Sequence, residues 1–165
     1  MVRTQVEQPV LDEEWAAFIQ GGVSIAAASR DSHNVPVTAR ALGCRASGNR
    51  QKVTVVFSRL QAESLMNAIS STGAIAVVFS QPSTHVSIQV KGRDAAQAGS
   101  RALDVQVFKR YTDAFVKEVI PLGYPEELIR TLLWADPADL VTVTFTPTAA
   151  FLQTPGPRAG ESLRS

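Results

Sequence analysis

Three segments near the start of the chain alternate apolar and polar residues, and only a few residues join them. VSIAAASR (Val23 to Arg30), VPVTARALGCRAS (Val35 to Ser47) and KVTVVFS (Lys52 to Ser58) have the period of two expected of strands. DSHN and SGNRQ between them are turn signals. Links this short join antiparallel neighbours, so the chain is constrained to a meander. Three more strand patterns follow: GAIAVVFS (Gly73 to Ser80), THVSIQVKG (Thr84 to Gly92) and LVTVTFTP (Leu140 to Pro147).

Between the strands the period changes. Leu11, Trp15, Phe18 and Ile19 recur at helical spacing after Asp12, a good N-cap. Leu65, Met66 and Ile69 make one face of RLQAESLMNAISS, and Ser58 with Gln61 forms a Ser-x-x-Gln capping box at its expected start. A long helix is expected from near Ser100, with Phe108, Tyr111, Phe115, Val116 and Val119 on one face. Another starts at Pro125-Glu126-Glu127. Six strands interrupted by helices predict a mainly β, α+β domain built on a small antiparallel barrel. The 165 residues suit one domain, 1–165, with 1–10 and 155–165 as extended tails.

Composition narrows the function. A net charge of +1 argues against a protein that depends on counterion release from nucleic acid. Cys44 is the sole cysteine, which excludes an intrachain disulfide and a cysteine-based metal cluster. His33 and His85 lack the spacing of a helical metal site. No apolar run reaches bilayer thickness and no signal peptide is recognisable, so a cytoplasmic protein with no membrane partner is expected. No GxSxG elbow, Walker loop or GxGxxG follows a strand. PGPRAG (Pro155 to Gly160) lacks the Lys-Ser pair of a phosphate loop and reads as a tail strapped over a surface.

Three places carry candidate chemistry. In THVSIQVKG, His85, Ser87, Gln89 and Lys91 share one face, which is either a solvated surface or a groove of donors suited to a planar polar ligand. The expected helix start at Ser58, with Arg59 and Ser64 close by, is either an ordinary cap or an anion site. Arg40, between small residues on a long strand, is either an edge charge or a guanidinium aimed at a phosphate or ring carbonyl.

The order of these elements, and the stretches VPVTARALGC, VTVVFSRLQAESLMNAI and GAIAVVFSQPSTHVSIQVKG, resemble the pyridoxamine 5′-phosphate oxidase-like flavoproteins, the FMN-binding split barrels. The likeness covers Asp12 to Gly92, while TFTPTAAFLQTPGPRAG looks like an uncharacterised branch. The resemblance implies a six-stranded split β-barrel and a homodimer with FMN in a groove between the two barrels. It places Arg40, Ser58, Arg59, Gln61 and Ser64 at the phosphate and Gln89 and Lys91 at the ring or phosphate. It implies a flavin-dependent oxidoreductase acting on a small molecule, with His85 as the candidate proton donor. The Arg and His that hold pyridoxal substrates in the true oxidase are not recognisable in Pro147 to Ser165, so the expected substrate is another molecule. The alternative is a non-catalytic binding module on the same fold, for haem, a deazaflavin or another ligand.

Overall fold

The Asp12 carboxylate accepts a hydrogen bond from the Trp15 N–H at 2.8 Å and starts α1 (Glu13–Phe18), as the sequence predicts. The computed structural model describes residues 8–163. The expected N-terminal tail therefore lies mostly outside the described residues. The chain continues through β1 (Ser24–Arg30), β2 (Pro36–Arg40), β3 (Gly43–Ala46), β4 (Val53–Ser58), α2 (Glu63–Thr72), β5 (Ile75–Ser80), β6 (Ser87–Gly92), β7 (Ala96–Gly99), α3 (Ala102–Val119), α4 (Glu126–Leu132), β8 (Leu140–Phe145) and β9 (Ala149–Leu152).

The strands form two antiparallel sheets, a five-stranded sheet in the order β2-β1-β5-β6-β9 and a four-stranded one in the order β3-β4-β8-β7. The long strand read over Val35–Ser47 is two strands. It bends at Ala41–Leu42, both buried, where the Ala41 N–H still donates to Ile25 in the first sheet and the Leu42 N–H already donates to Val56 in the second. Gly43 follows the bend with φ 155°, and a Cβ there would sit 3.0 Å from Val107 Cγ1. One continuous segment thus belongs to both sheets. Two short strands, β7 and β9, bring the total among the described residues to nine where the sequence pattern shows six.

The core lies between the sheets. Ile25, Ala27, Val77, Phe79, Ile88 and Val90 face inward from the first sheet; Val55, Phe57, Val143 and Phe145 are buried in the second. α2 plugs the space under β1 and β2 with Leu65, Met66 and Ile69. α3 covers β3 and β4 from outside. Its buried face is the predicted one: Phe108, Tyr111, Phe115, Val116 and Val119. Asp104, buried in its first turn, accepts from the Arg101 N–H at 2.9 Å and from Arg45 Nε on β3 at 3.1 Å, so one carboxylate caps the helix and fastens it to the sheet. A Cβ on Gly22 would lie 2.4 Å from the Ala114 carbonyl oxygen, so the close approach of α3 to the entry of β1 depends on glycine there.

The C-terminal residues double back. The Gly160 N–H donates to Leu152, the Leu152 N–H to Glu161 and the Leu163 N–H to Ala150, so 160–163 run beside β9. No helix among the described residues is long and apolar enough to cross a membrane.

Candidate functional site

α3 and α2 cover the second sheet and the inner side of the first. Among the described residues no helix covers the outer side of the five-stranded sheet. Sheet register sorts its residues into rows. Arg40, Ala26, Val78, Gln89 and Phe151 stand side by side across β2, β1, β5, β6 and β9. Thr38, Ala28, Ala76, Lys91 and Ala149 form the next row. The middle of this face is small and apolar: Ala26 is exposed, and Ala28, Ala76 and Val78 are half-buried. Cations and amides stand at its two sides. With strands about 4.8 Å apart, Arg40 and Gln89 are separated by about 14 Å. The result is a flat alanine floor between hydrogen-bonding walls. Such a surface accepts a planar ring system and offers donors to its edges. Lys91 Nζ lies 5.1 Å from the centre of the Phe151 ring, which holds the ammonium over that side of the floor.

Of the predicted polar row, Gln89 and Lys91 stand on this face. Register puts Ser87 on it too, paired with Ser80 in the next row, but His85 does not extend it. The strand begins at Ser87, whose side chain is buried and whose hydroxyl lies 2.7 Å from that of Ser80. His85 is in the preceding turn, exposed, with φ 61°. The Thr84 hydroxyl donates to Gln81 Oε1 and accepts from the Val86 N–H, closing that turn where the alternation had suggested strand.

Arg40 ends β2 at the rim of the floor. Beside it is Tyr111 on α3, whose hydroxyl is buried without a well-aligned hydrogen-bond partner among the described residues. Burial pushes the Tyr111 hydroxyl pKa up, and the nearby Arg40 charge partly offsets that rise. Cys44 is buried nearby, and burial likewise raises its thiol pKa.

The other predicted group lies at the end of β4. Ser58 is buried; Arg59, Gln61 and Ser64 are exposed. The Ser58 hydroxyl accepts from the Gln61 N–H at 3.3 Å, the local bond the capping box predicts. It caps only a turn, however. α2 starts at Glu63, and its N-cap, Ala62, has no side-chain bond to offer. The anion in this turn comes from the chain itself. The Ser58 hydroxyl donates to Asp139 Oδ2 at 2.7 Å, and the Leu60 N–H donates to the same oxygen at 3.3 Å. The Ser58 bond, then the Leu60 N–H, hold the Asp139 carboxyl below its ordinary value, and Arg59 assists. Asp139 precedes β8, and nothing in its local sequence pointed to this contact. In this turn Asp139 engages the Ser58 hydroxyl and the Leu60 N–H, while the Arg59, Gln61 and Ser64 side chains stay exposed.

A groove of about 730 Å³ opens at one end of the alanine floor, beside Ala28, Ala76, Lys91 and Phe151. Arg30 and Arg93 also line it. Neither was singled out in the sequence, although each lies two residues beyond a position on the outer face. That parity was the available signal.

No family model matches the sequence, and no curated protein matches it. Solved structures do. HupZ from Group A Streptococcus superposes with a TM-score of 0.56 at 14% identity, over 91% of this chain and 99% of that one. An F420 reductase superposes with a TM-score of 0.57 at 17% identity, over 85% and 98%. A candidate pyridoxamine 5′-phosphate oxidase from Lactobacillus delbrueckii gives 0.51 at 10% identity, over 86% and 93%. The fold is that of the pyridoxamine 5′-phosphate oxidase-like split barrels. The nine-stranded, two-sheet chain is thus a split barrel, as the meander and its helices led one to expect.

Proposed function

We propose that this split barrel binds FMN and acts as a flavin-dependent oxidoreductase on a small molecule other than pyridoxamine phosphate. The observation that carries the reading is the uncovered face of the five-stranded sheet: an alanine floor with Arg40 on one side and Gln89 and Lys91 on the other. The ring would lie on the floor. Arg40 and Gln89 would donate to its polar edge and Lys91 to the ring or the phosphate, and a second copy of the chain would close the groove as a homodimer. When bound, the flavin supplies the hydride chemistry, and the protein binds, orients and excludes water. His85, in an exposed turn, is given no proton-transfer role.

Purified protein should show a flavin absorption spectrum, or acquire one stoichiometrically when FMN is added. Arg40→Ala and Lys91→Ala should each weaken FMN binding about ten- to a hundredfold, since a charge-assisted hydrogen bond contributes about 1.5–3 kcal/mol. Unchanged FMN affinity in both variants would remove the site assignment.

One observation favours a second reading, a binding module for a different ligand such as haem or a deazaflavin. Asp139 fills the turn where an FMN phosphate was expected. The F420 reductase among the matched folds makes a deazaflavin the first alternative to titrate. A protein that ignores FMN but takes up one of these would establish it. Bleaching of bound FMN by a reduced nicotinamide would argue for the enzyme.

A further inference from the structure

The groove at the end of the alanine floor concentrates positive charge. Arg30, Lys91 and Arg93 line it, and no carboxylate does. Register explains the convergence. Ala28 pairs with Ala76, and Ala76 with Lys91. The ladders end at Ala28–Ala76 and Ile75–Gly92, and Arg30 and Arg93 follow at that same end of the sheet, where both line the groove with Ala74. At about 4.8 Å per strand, the β1 and β6 backbones are about 10 Å apart, with β5 between them. A group seated over Ala74 lies within reach of both guanidinium groups and of Lys91.

Acids adjacent in sequence could have neutralised these cations, and both are occupied elsewhere. Asp31 follows Arg30, but its carboxylate accepts from the His33 and Val35 N–H groups at 2.8 and 2.9 Å and closes a turn. Asp94 follows Arg93, but it accepts from the Thr146 N–H at 2.7 Å, the Thr146 hydroxyl at 2.6 Å and Lys52 Nζ at 3.2 Å. Arg30 itself donates to the neutral Asn34 side chain. The ion pairs found among the described residues involve Arg45, Arg50, Lys52, Arg130 and Arg158, none of them in this groove. The groove's hydroxyls are also engaged: Ser29 Oγ donates to the Ala74 carbonyl at 2.7 Å and Thr72 Oγ1 to the Arg30 carbonyl at 3.0 Å. What the groove has to offer a ligand is charge.

We propose that Arg30, Lys91 and Arg93 form an anion subsite that takes the phosphate end of the ligand whose ring lies on the alanine floor. The ring's placement rests on the flavin reading above; the anion subsite does not. Two guanidinium groups and an ammonium around a small-residue floor suit a dianionic phosphate.

The test compares wild type with the Arg30→Gln/Arg93→Gln double variant. Both residues are exposed, so the variant is expected to fold, and circular dichroism checks this. FMN and riboflavin are titrated separately, and inorganic pyrophosphate is used as a ring-free probe in thermal unfolding. FMN affinity should fall about tenfold or more in the double variant while riboflavin affinity stays unchanged. Pyrophosphate should raise the Tm of wild type, and of a Lys109→Gln/Arg110→Gln control on α3, but not that of the double variant. If FMN binds wild type and double variant alike, the subsite is wrong and the flavin reading survives. If no flavin binds but pyrophosphate stabilises through Arg30 and Arg93, the flavin reading fails and the subsite stands. If pyrophosphate stabilises nothing, or stabilises the double variant equally, the subsite is overturned.

Discussion

Asp139 makes two bonds with its Oδ2 atom, to the Ser58 hydroxyl and the Leu60 N–H. Its folded pKa is lowered, so its contribution to stability is present above the unfolded value, about 3.9, and is lost as the pH falls through the lower folded value. Asp139→Asn should therefore flatten the acid side of the stability profile. Denaturant melts of both proteins between about pH 5 and pH 2 give the slopes, which bracket the carboxylate range; parallel slopes would mean the contact contributes nothing. Cys44 offers a second check. Burial raises its pKa, and the thiolate is the reactive form, so a disulfide reagent should modify it only as fast as the protein opens. Fast labelling of native protein would contradict its placement. At this scale the sequence was readable where a pattern was local. Gln89, Lys91 and the Ser58–Gln61 bond follow from periodicity and cap chemistry. His85 was misplaced because the alternation ran on by chance through a turn. Arg30 and Arg93 share a groove only through sheet register, and Asp139 reaches Ser58 across 81 residues of sequence.

Among the elements, α3 is mounted by two small features. Gly22 gives it room at Ala114, and Asp104 fastens it to Arg45. Gly22→Ala should destabilise the fold by about 1–3 kcal/mol, the usual cost of overpacking against backbone. Asp104→Ala removes a cap and leaves a partly buried arginine unpaired, a cost of about 2 kcal/mol. Urea denaturation measures both; a change within error for Gly22→Ala would mean that α3 shifts without penalty. α3 was legible because its apolar face is long and periodic, and the shorter α1 and α4 because Asp12 and Pro125-Glu126-Glu127 mark their starts. β7 and β9 were not. AQAG has no β-branched or aromatic residue and is exposed throughout, so β7 is a strand only because β8 presents an edge to it. The bend that divides β2 from β3 falls at Ala41–Leu42, apolar residues that continue a strand pattern, and the one local signal is Gly43 just after it.

For the whole molecule, the exposed alanine floor predicts association. Sedimentation should give twice the 17.7 kDa chain mass. Ala26→Glu puts a charge on the floor at an exposed position, so it should abolish the dimer and the flavin site while leaving the Tm of the monomer near that of wild type. A dimer that tolerates the glutamate would place the interface elsewhere. The pairing of β4 with β8 has another consequence. Thr54 and Thr144 hydrogen-bond to each other although they are 90 residues apart, and all of β4 is buried in the finished protein. At roughly 5–20 residues per second, a ribosome would need about 5–20 s to supply the partner strand after β4 is made. During that interval VTVVFS is a nascent apolar edge open to chaperones and to neighbouring chains. Yield in a cell would then depend on translation speed between Ser58 and Leu140 as well as on the stability of the completed barrel.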